Sequence, residues 1–213
     1  MIVPRPYLFV ARSLPCFMFM AVVAVGLTPL HTSAQAPATE AGPETRVFTI
    51  ADGGFSLQAP AGWQRVQPKS GIVETEFAIP SEGAAADGTP AQPGRMTVMG
   101  AGGTVQANID RWYGQFAQPD GSETKTKATT KKLDLAGCKV TLVDIPGTYK
   151  DSPGGPFAGG RAVDRPDYRM LAAIVETPDR GNYFLKFYGP AKTVAAHADG
   201  FRTMVEGMVA AGK

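Results

Sequence analysis

The stretch "YRMLAAIVE" (residues 168–176) decides the fold class of this chain. Its apolar side chains alternate onto both faces, with Met170, Ala172 and Ile174 on one and Leu171, Ala173 and Val175 on the other. A strand that is apolar on both faces belongs in the interior of a sheet that is covered on both sides. The stretch therefore predicts a central strand, and the segments around it must supply the rest of the sheet.

Further strands are predicted on both sides of this stretch, and hairpin turns join several of them. "RVFTI" and "GFSLQAP" flank the turn at Asp52, Gly53 and Gly54, which is a strong hairpin signal. "TEFAIP", "RMTVMG" and "NYFLKFY" are three more strands, and "KLDLAGCKVTLVDIPGTY" is a strand, an Ala-Gly turn and another strand. Hairpins in place of crossover helices predict a mainly antiparallel sheet.

Two segments have the apolar periodicity of a helix. Residues 104–116 carry the stripe Val105, Ile109, Trp112 and Phe116. Residues 191–209, approximately, carry the stripe Val194, Ala198, Phe201, Val205 and Met208. Thr104 can cap the first helix, and we expect Asn108 and Arg111 on that helix to face water. The predicted fold class is α+β: an α/β/α sandwich whose central, mainly antiparallel sheet is packed by the two amphipathic helices.

The first 45 residues are predicted to lie outside the fold. Arg5 and Arg12 precede the apolar run "LPCFMFMAVVAVGL", and small residues follow it, as in a secretory signal peptide. We expect a signal peptide over residues 1–34, with cleavage after Ala36 or retention as an anchor as alternatives. Residues 35–45 are rich in Ala, Pro and polar residues and predict a flexible leader. Residues 46–213 are predicted to form a single domain in a periplasmic or secreted protein.

Charge and cysteine content exclude several classes of protein. The chain has 21 Lys and Arg against 19 Asp and Glu, and loss of Arg5 and Arg12 with the signal leaves 19 against 19. A formally neutral mature chain argues against nucleic-acid binding and against docking to anionic lipid. Cys138 is then the sole cysteine, so the fold depends on its hydrophobic core and not on a disulfide.

No set of catalytic residues is recognisable in the mature chain. His197 is the sole histidine, so a zinc site of the usual His and Cys kind cannot form in one chain, and a hydrolase could use His197 alone. We expect His197 at the boundary of the core and Cys138 buried as a small apolar residue. Asp164 and Asp167 lie among arginines in "RAVDRPDYR", which predicts a solvated loop with weak ion pairs. We therefore expect no enzymatic activity, no cofactor and no metal.

Three polar or glycine-rich segments have structural interpretations that we favour. "DSPGGPFAGG" (residues 151–160) has no following Lys and no following helix, so it is predicted to be a long hairpin loop and not a phosphate site. If that loop instead contacts a partner, Phe157 is the expected anchor. Residues 81–94 predict a mobile loop. Lys125, Lys127 and Lys131 are expected on one face of a strand, where they would protect a sheet edge against unwanted pairing.

Two segments resemble the PsbP-like proteins, whose namesake is the extrinsic lumenal subunit of photosystem II. "GFSLQAPAGWQRV" is a strand that leads into Pro-x-Gly-Trp, and "GNYFLKFYGPAKTVAAHADGFRTMVEGMV" is an aromatic strand, Gly-Pro and an amphipathic helix. The resemblance spans residues 46–209 and implies an α/β/α sandwich and a mainly non-enzymatic accessory or binding role. Neither motif contains a ligand or catalytic position that can be transferred to this chain.

The leading hypothesis is an exported, monomeric, non-enzymatic accessory or binding protein with an unknown protein partner in the cell envelope. Trp63 and Phe157 are the candidate partner contacts. The first alternative is a carrier that binds a small ligand between helix and sheet. A pocket lined by Trp63, Trp112 or Phe116 would favour the carrier, and a sealed sheet would favour the accessory role. The second alternative is a hydrolase that uses His197.

Overall fold

The strand predicted from residues 168–176 is longer than expected and lies inside an eight-stranded sheet. The structure, a computed structural model, describes residues 46–81, 83, 92–152 and 162–211, all within the second of two units into which the chain divides, Thr39–Lys213. In that part of the chain the strands are β1 (Val47–Ile50), β2 (Phe55–Gln58), β3 (Gln64–Val66), β4 (Thr75–Ile79), β5 (Gly94–Ala101), β6 (Phe116–Ala117), β7 (Thr129–Leu135), β8 (Cys138–Asp151), β9 (Val163–Glu176), β10 (Asn182–Pro190) and β11 (Val209–Ala210). The helices are α1 (Val105–Tyr113), α2 (Thr124–Lys127), α3 (Ala191–Ala196) and α4 (Ala198–Glu206).

The large sheet has the strand order β3-β4-β5-β10-β9-β8-β6, and β7 pairs with the outer edge of β8. Strands β1, β2 and β11 form a separate three-stranded sheet. Every described pairing is antiparallel, so the α+β class with a mainly antiparallel sheet is confirmed. Strand β9 is paired on both sides, by β10 and β8, as its two apolar faces predict.

Two hydrophobic clusters lie on opposite faces of the large sheet, and β9 contributes alternate side chains to both. Leu171, Ala173 and Val175 belong to a cluster that includes Val194 of α3 and Phe201 of α4. Met170, Ala172 and Ile174 belong to the second cluster, with Ile109 and Trp112 of α1. The alternation in β9 therefore separates the residues under α3 and α4 from the residues under α1.

Helix α1 is shorter than the apolar stripe predicts, because Phe116 belongs to β6 and not to the helix. Thr104 caps the helix as expected, since its side chain accepts a hydrogen bond from the backbone N–H of Ala107 at 3.1 Å. The expectation that Asn108 faces water is wrong. Its side-chain amide is buried and donates to the carbonyl oxygens of Gly102 and Thr104, which ties the loop before the helix to its first turn.

The predicted last helix is interrupted at His197, which has non-helical backbone angles of φ −103° and ψ 6°. The apolar stripe continues through the break, and Val194, Phe201 and Val205 are all buried. The segment after α4 is also not helical: Val209 and Ala210 form β11 and pair with β2. The helical period thus identified the buried face, but it could not locate a break that tertiary contacts impose.

The polar segments differ from expectation in two places. Lys125 and Lys127 lie in the short helix α2, so they do not share a strand face with Lys131, which lies on β7. Strand β7 is an edge strand in the described sheet, as the interpretation of Lys131 requires. Asp164 and Asp167, expected in a solvated loop, belong to β9, although the neighbouring Arg165 and Arg169 do form ion pairs.

The hairpin predicted for "DSPGGPFAGG" is confirmed by its flanking strands. Asp151 at the end of β8 lies opposite Val163 at the start of β9 in an antiparallel register. Phe157 and the rest of residues 153–161 lie outside the described residues, as do residues 1–45, 82, 84–91 and 212–213. None of the helices in the described part of the chain combines the length and the apolar character needed to cross a membrane.

Candidate functional site: a tyrosine face beside a lysine

The candidate site lies on the face of the large sheet that also carries α1. Strand β10 alternates, so that Phe184, Lys186 and Tyr188 share this face while Leu185 and Phe187 point into the opposite cluster. Phe184 packs under Trp112 of α1, with ring centroids 5.3 Å apart. Lys186 and Tyr188 continue the same row of side chains toward the end of β10, next to the last residues of α1 and the loop that follows it.

A β-bulge brings further side chains onto this face. Gly147 of β8 lies opposite Tyr168 of β9, but Tyr149, two residues further along β8, lies opposite Arg165, three residues back along β9. The extra residue on β9 falls next to Asp167, which has a positive φ of 54°. A bulge reverses the facing of the residues beyond it. Arg165 therefore joins Tyr149 and Tyr168 on the α1 side of the sheet.

We call the resulting surface the tyrosine face and define it by Tyr149, Tyr168, Tyr188, Arg95, Arg165 and Lys186. Each of these side chains is half-buried and keeps part of its surface accessible. The Tyr149 ring stacks on Tyr168, with centroids 6.1 Å apart and planes 9° apart, and contacts Tyr188 at 5.1 Å. Burial raises the pKa of Tyr149 and of Tyr168, so both phenols stay protonated at neutral pH.

Lys186 is the most unusual ionisable group of the tyrosine face. Its Nζ donates to Oε1 of Gln115 at 2.6 Å and lies 5.2 Å and 5.7 Å from the ring centroids of Tyr188 and Tyr149. Desolvation, followed by the positive charges of Arg111 and Arg95, lowers its pKa from the ordinary 10.5 to about 7. Part of the side chain remains accessible to solvent, although its amine lies in closely packed surroundings. Lys186 is therefore poised to change its charge near neutral pH.

Arg95 is held by a carboxylate and by a tyrosine. Its Nε and one terminal nitrogen donate to the two oxygens of Glu76, each at 2.8 Å, and the other terminal nitrogen donates to the Tyr188 hydroxyl at 2.7 Å. The hydrogen bonds to Glu76, more than any other interaction, raise the pKa of Arg95 above its ordinary value. This bidentate pair fixes the guanidinium and, through it, the Tyr188 ring. The single carboxylate of Glu76 is thereby committed to Arg95.

Of the two contacts proposed from sequence, Trp63 lies away from the tyrosine face, and Phe157 lies outside the described residues. Trp63 is 1% exposed and packs between Phe77 and Phe187, so in this structure it offers no surface to a partner. Its indole N–H donates to Nδ1 of His197 at 3.3 Å, and Nε2 of His197 lies 3.2 Å from the carbonyl oxygen of Pro80. With Nδ1 as an acceptor, Nε2 carries the proton and donates to Pro80. His197 thus joins the break between α3 and α4 to the core, as a residue at the core boundary would.

Trp112, Phe116 and Cys138, which the sequence analysis also named, are buried as well. Trp112 and Phe116 are each 3% exposed, and the described cavity of about 160 Å³ is lined by neither of them, nor by Trp63. That cavity lies near the edge strand β7 and α4. Cys138 is 2% exposed, and burial raises the pKa of its thiol. Within the described ranges, no three His, Cys, Asp or Glu side chains are grouped closely enough to hold a metal ion.

Sequence reasoning missed the tyrosine face for two reasons. The first reason is that Lys186 in "NYFLKFY" was not singled out. Alternation along this strand assigns the lysine to a face that is otherwise aromatic, and a lysine in such a position is a signal that could have identified it. Tyr149 and Tyr168 reach this face by alternation, but Arg165 joins them because of the bulge, which nothing in the spacing of these residues predicts.

The chain was compared with protein-family models, with curated proteins and with solved structures. No protein-family model matches it, and no curated protein is similar to it in sequence. One similar solved structure is cyanobacterial PsbP (CyanoP) from Synechocystis sp. PCC 6803, with 11% identity, a TM-score of 0.45 and coverage of 78% of this chain and 91% of that one. Another is a Pseudomonas aeruginosa protein of unknown function, with 12% identity, a TM-score of 0.40 and coverage of 78% and 97%. A PsbP protein is thus among the similar structures, as the two sequence motifs predict.

Proposed function

We propose that the mature chain is an exported, non-enzymatic accessory protein that binds a protein partner through the tyrosine face. The observation that carries the proposal is the grouping of three tyrosines and two arginines on an accessible part of the sheet. Tyr and Arg are enriched among the residues that dominate binding energy at protein interfaces. Val163, which is 43% exposed and lies beyond the bulge beside Arg165, adds an apolar contact to the same surface.

The side chains of the tyrosine face are held in fixed positions, and this favours binding. Tyr149 is held by stacking on Tyr168, and Tyr188 is held by the hydrogen bond from Arg95. Arg165 is oriented by Asp151, with N–O distances of 3.3 Å. Side chains that are ordered before association lose less conformational entropy when a partner binds. The tyrosine face is therefore already arranged for binding before a partner arrives.

Export and domain organisation are part of the same proposal. A signal peptide over residues 1–34, a leader over residues 35–45 and one domain over residues 46–213, with the layers of an α/β/α sandwich, would yield a monomer in the periplasm or the medium. Mass spectrometry of the native protein tests the cleavage, and a mature form that retains Met1 contradicts it. Size-exclusion chromatography with light scattering tests the monomer.

The binding surface is tested by comparative capture from the envelope fraction. Tyr168→Ala removes a half-buried ring of the tyrosine face, and Ile72→Ala removes the side chain of a 71% exposed residue outside that face. We expect the Tyr168 variant to lose a partner that the wild type and the Ile72 variant retain, with all three proteins equally folded by circular dichroism. Loss of the partner in the Ile72 variant alone would move the interface away from the tyrosine face.

A carrier for a small ligand is a second candidate function, and one observation favours it. The Lys186 amine lies between the sheet and Gln115, which directly follows the C-terminal turn of α1. This position is between helix and sheet, as the carrier hypothesis requires, and Phe116, one of the three predicted aromatic residues, contacts the neighbouring Tyr149 ring. A hydrolase that uses His197 is not proposed, since both ring nitrogens already lie within hydrogen-bond distance of core partners.

A further inference from the structure

The acids and arginines around Lys186 are equal in number, so the charge of the protonated lysine itself is in excess. The charged and titratable groups around the amine are Glu76 on β4, Arg95 on β5, Asp110, Arg111 and Tyr113 on α1, Tyr149 and Asp151 on β8, Arg165 and Tyr168 on β9, and Tyr188 on β10. Glu76 is paired with Arg95, and Asp151 with Arg165. Asp110, next to Arg111 in the sequence of α1, is exposed, and its carboxylate accepts a hydrogen bond from Gln106. When Lys186 is protonated, its own charge has no carboxylate partner among the described residues.

The hydrogen-bonding capacity of the amine is also incompletely used. A protonated lysine has three N–H donors. In the part of the chain that the structure describes, Gln115 Oε1 is the acceptor that Lys186 reaches, and the rings of Tyr149 and Tyr188 offer weaker contacts with their faces. The guanidinium of Arg111 donates to Oδ1 of Asn108 on the same helix. An entering acceptor would therefore find an ammonium group with capacity to spare.

We propose that the site between Lys186, Gln115 and the tyrosine rings binds the carboxylate of a small molecule. One negative charge balances the charge of the protonated lysine, which is in excess of the equal numbers of acids and arginines around it, and a planar carboxylate matches the flat tyrosine rings that border the amine. This inference deepens the carrier function and depends on it, while the protein-partner function stands or falls separately on the capture experiment. An aromatic carboxylate gains a ring contact with the tyrosines in addition to the ion pair.

Binding is coupled to the protonation of Lys186. A carboxylate favours the charged amine, so the pKa of Lys186 in the complex lies above its value of about 7 in the free protein. Affinity is full below about pH 7 and falls by up to about tenfold for each pH unit above it, until the pKa of the complex is reached. The carboxylic acid itself is already ionised over this range, with an ordinary pKa of about 4. The pH dependence therefore reports on the lysine.

The test is a calorimetric and NMR titration of the mature protein with benzoate, at about pH 6 and about pH 9, where a lysine with a pKa near 7 has opposite charge states. Benzamide, which is neutral and of the same shape, is the control ligand, and acetate and inorganic phosphate test the ring contact and the choice of anion. We expect saturable benzoate binding that weakens about tenfold per unit above about pH 7. We also expect an upward shift of the Lys186 pKa in the complex, read from the ε-methylene carbon and ζ-nitrogen signals.

Two variants locate the site. Lys186→Met should lower benzoate affinity by about tenfold or more, as loss of a buried charge partner does, and abolish its pH dependence. Lys139→Met removes an exposed lysine from the same sheet face at its far end and should change neither. Equal binding of benzoate and benzamide, no saturation at about pH 6, or equal affinity in the Lys186→Met protein would each overturn the proposal. Tighter binding of phosphate than of either carboxylate would overturn the ligand class. Because the wild-type pH titration needs no variant, the proposal stays testable if Lys186→Met fails to fold.

Discussion

Replacement of Lys186 by methionine should make the stability of this protein less dependent on pH. The change removes an amine that lies in closely packed surroundings and keeps an unbranched side chain of similar length. In the folded protein the pKa of Lys186 is lowered from 10.5 to about 7, chiefly by desolvation. In the unfolded chain the lysine has its ordinary pKa of about 10.4. The charged form of Lys186 is therefore less favourable in the folded state, and the methionine variant lacks that cost.

The sign and the size follow from linkage. Between the two pKa values the unfolded chain binds a proton that the folded chain does not, so the free energy of unfolding of the wild type rises with pH by at most about 1.4 kcal/mol per unit. The difference between the two pKa values sets an upper limit of about 5 kcal/mol on the stability that the folded protein loses by keeping Lys186 charged. Because solvent reaches part of Lys186, we expect about half of this, roughly 2–3 kcal/mol. The cost is full below about pH 7 and absent above about pH 10.5.

The assay is urea denaturation of the wild type and the Lys186→Met protein at a series of pH values from about 6 to 10, a range that spans both states of the lysine. Other titrating groups are common to both proteins, so the difference between the two free energies of unfolding isolates Lys186. We expect the variant to gain most at the acid end and to lose that gain as pH rises. Lys139→Met, at an exposed position, is the matched control and should follow the wild type. A difference that stays constant across the whole range would refute the lowered pKa.

Three further predictions test the packing around the site. Trp112→Ala removes a ring that is 3% exposed and should lower the free energy of unfolding in urea by about 3–5 kcal/mol; a loss below about 1 kcal/mol would mean that α1 does not pack on the sheet. Gly147→Ala places a Cβ 2.7 Å from the carbonyl oxygen of Ala117 at a φ of 140°. It should therefore lower the free energy of unfolding by more than about 1 kcal/mol in the same assay. An unchanged stability would contradict the close approach. Ala136→Gly relieves a positive φ of 50° in the turn between β7 and β8. It should raise the free energy of unfolding by about 1 kcal/mol, which is measured as a higher melting temperature. A lower melting temperature would show that the left-handed conformation is not strained.

Much of the fold was predictable because its strands follow simple alternation. Phe55 and Leu57 face the core as their period requires, and β9 supplies both hydrophobic clusters. The Ala136-Gly137 turn was readable from its two residues, both of which adopt positive φ. These features are local, and each is supported by the burial of a regular face. Local pattern and tertiary packing agree there, so sequence alone is sufficient.

The break at His197 and the burial of Trp63 were not predictable because they depend on contacts between distant segments. The break at His197 accompanies hydrogen-bond contacts of its ring with Trp63 and Pro80, which lie more than a hundred residues away in the chain. The same contacts bury Trp63, so an aromatic residue that looked available for a partner is part of the core. Asn108 is buried because its amide satisfies carbonyl groups of the loop before α1. His197 finds its partners through the fold, whereas Asn108 finds its partners four and six residues back in the sequence, in a loop geometry that helical periodicity does not predict.

The candidate site follows the same rule, and the bulge on β9 is the decisive element. With a regular register beyond Tyr168, Arg165 would lie on the opposite face of the sheet from Tyr149, and the ion pair between Arg165 and Asp151 could not border the tyrosines. The extra residue near Asp167 reverses that facing, and Gly147 on the opposite strand provides the space for the close approach of β6 and the segment after it. The bulge thus converts two long, ordinary strands into a surface that holds tyrosines and arginines together beside Lys186. Deletion of Asp167 should remove the bulge and give a regular register in which Arg165, now two positions from Tyr168, still lies opposite Tyr149. The ion pair of Arg165 with Asp151 and the cores on the two faces of β9 between Met170 and Val175 should therefore stay intact.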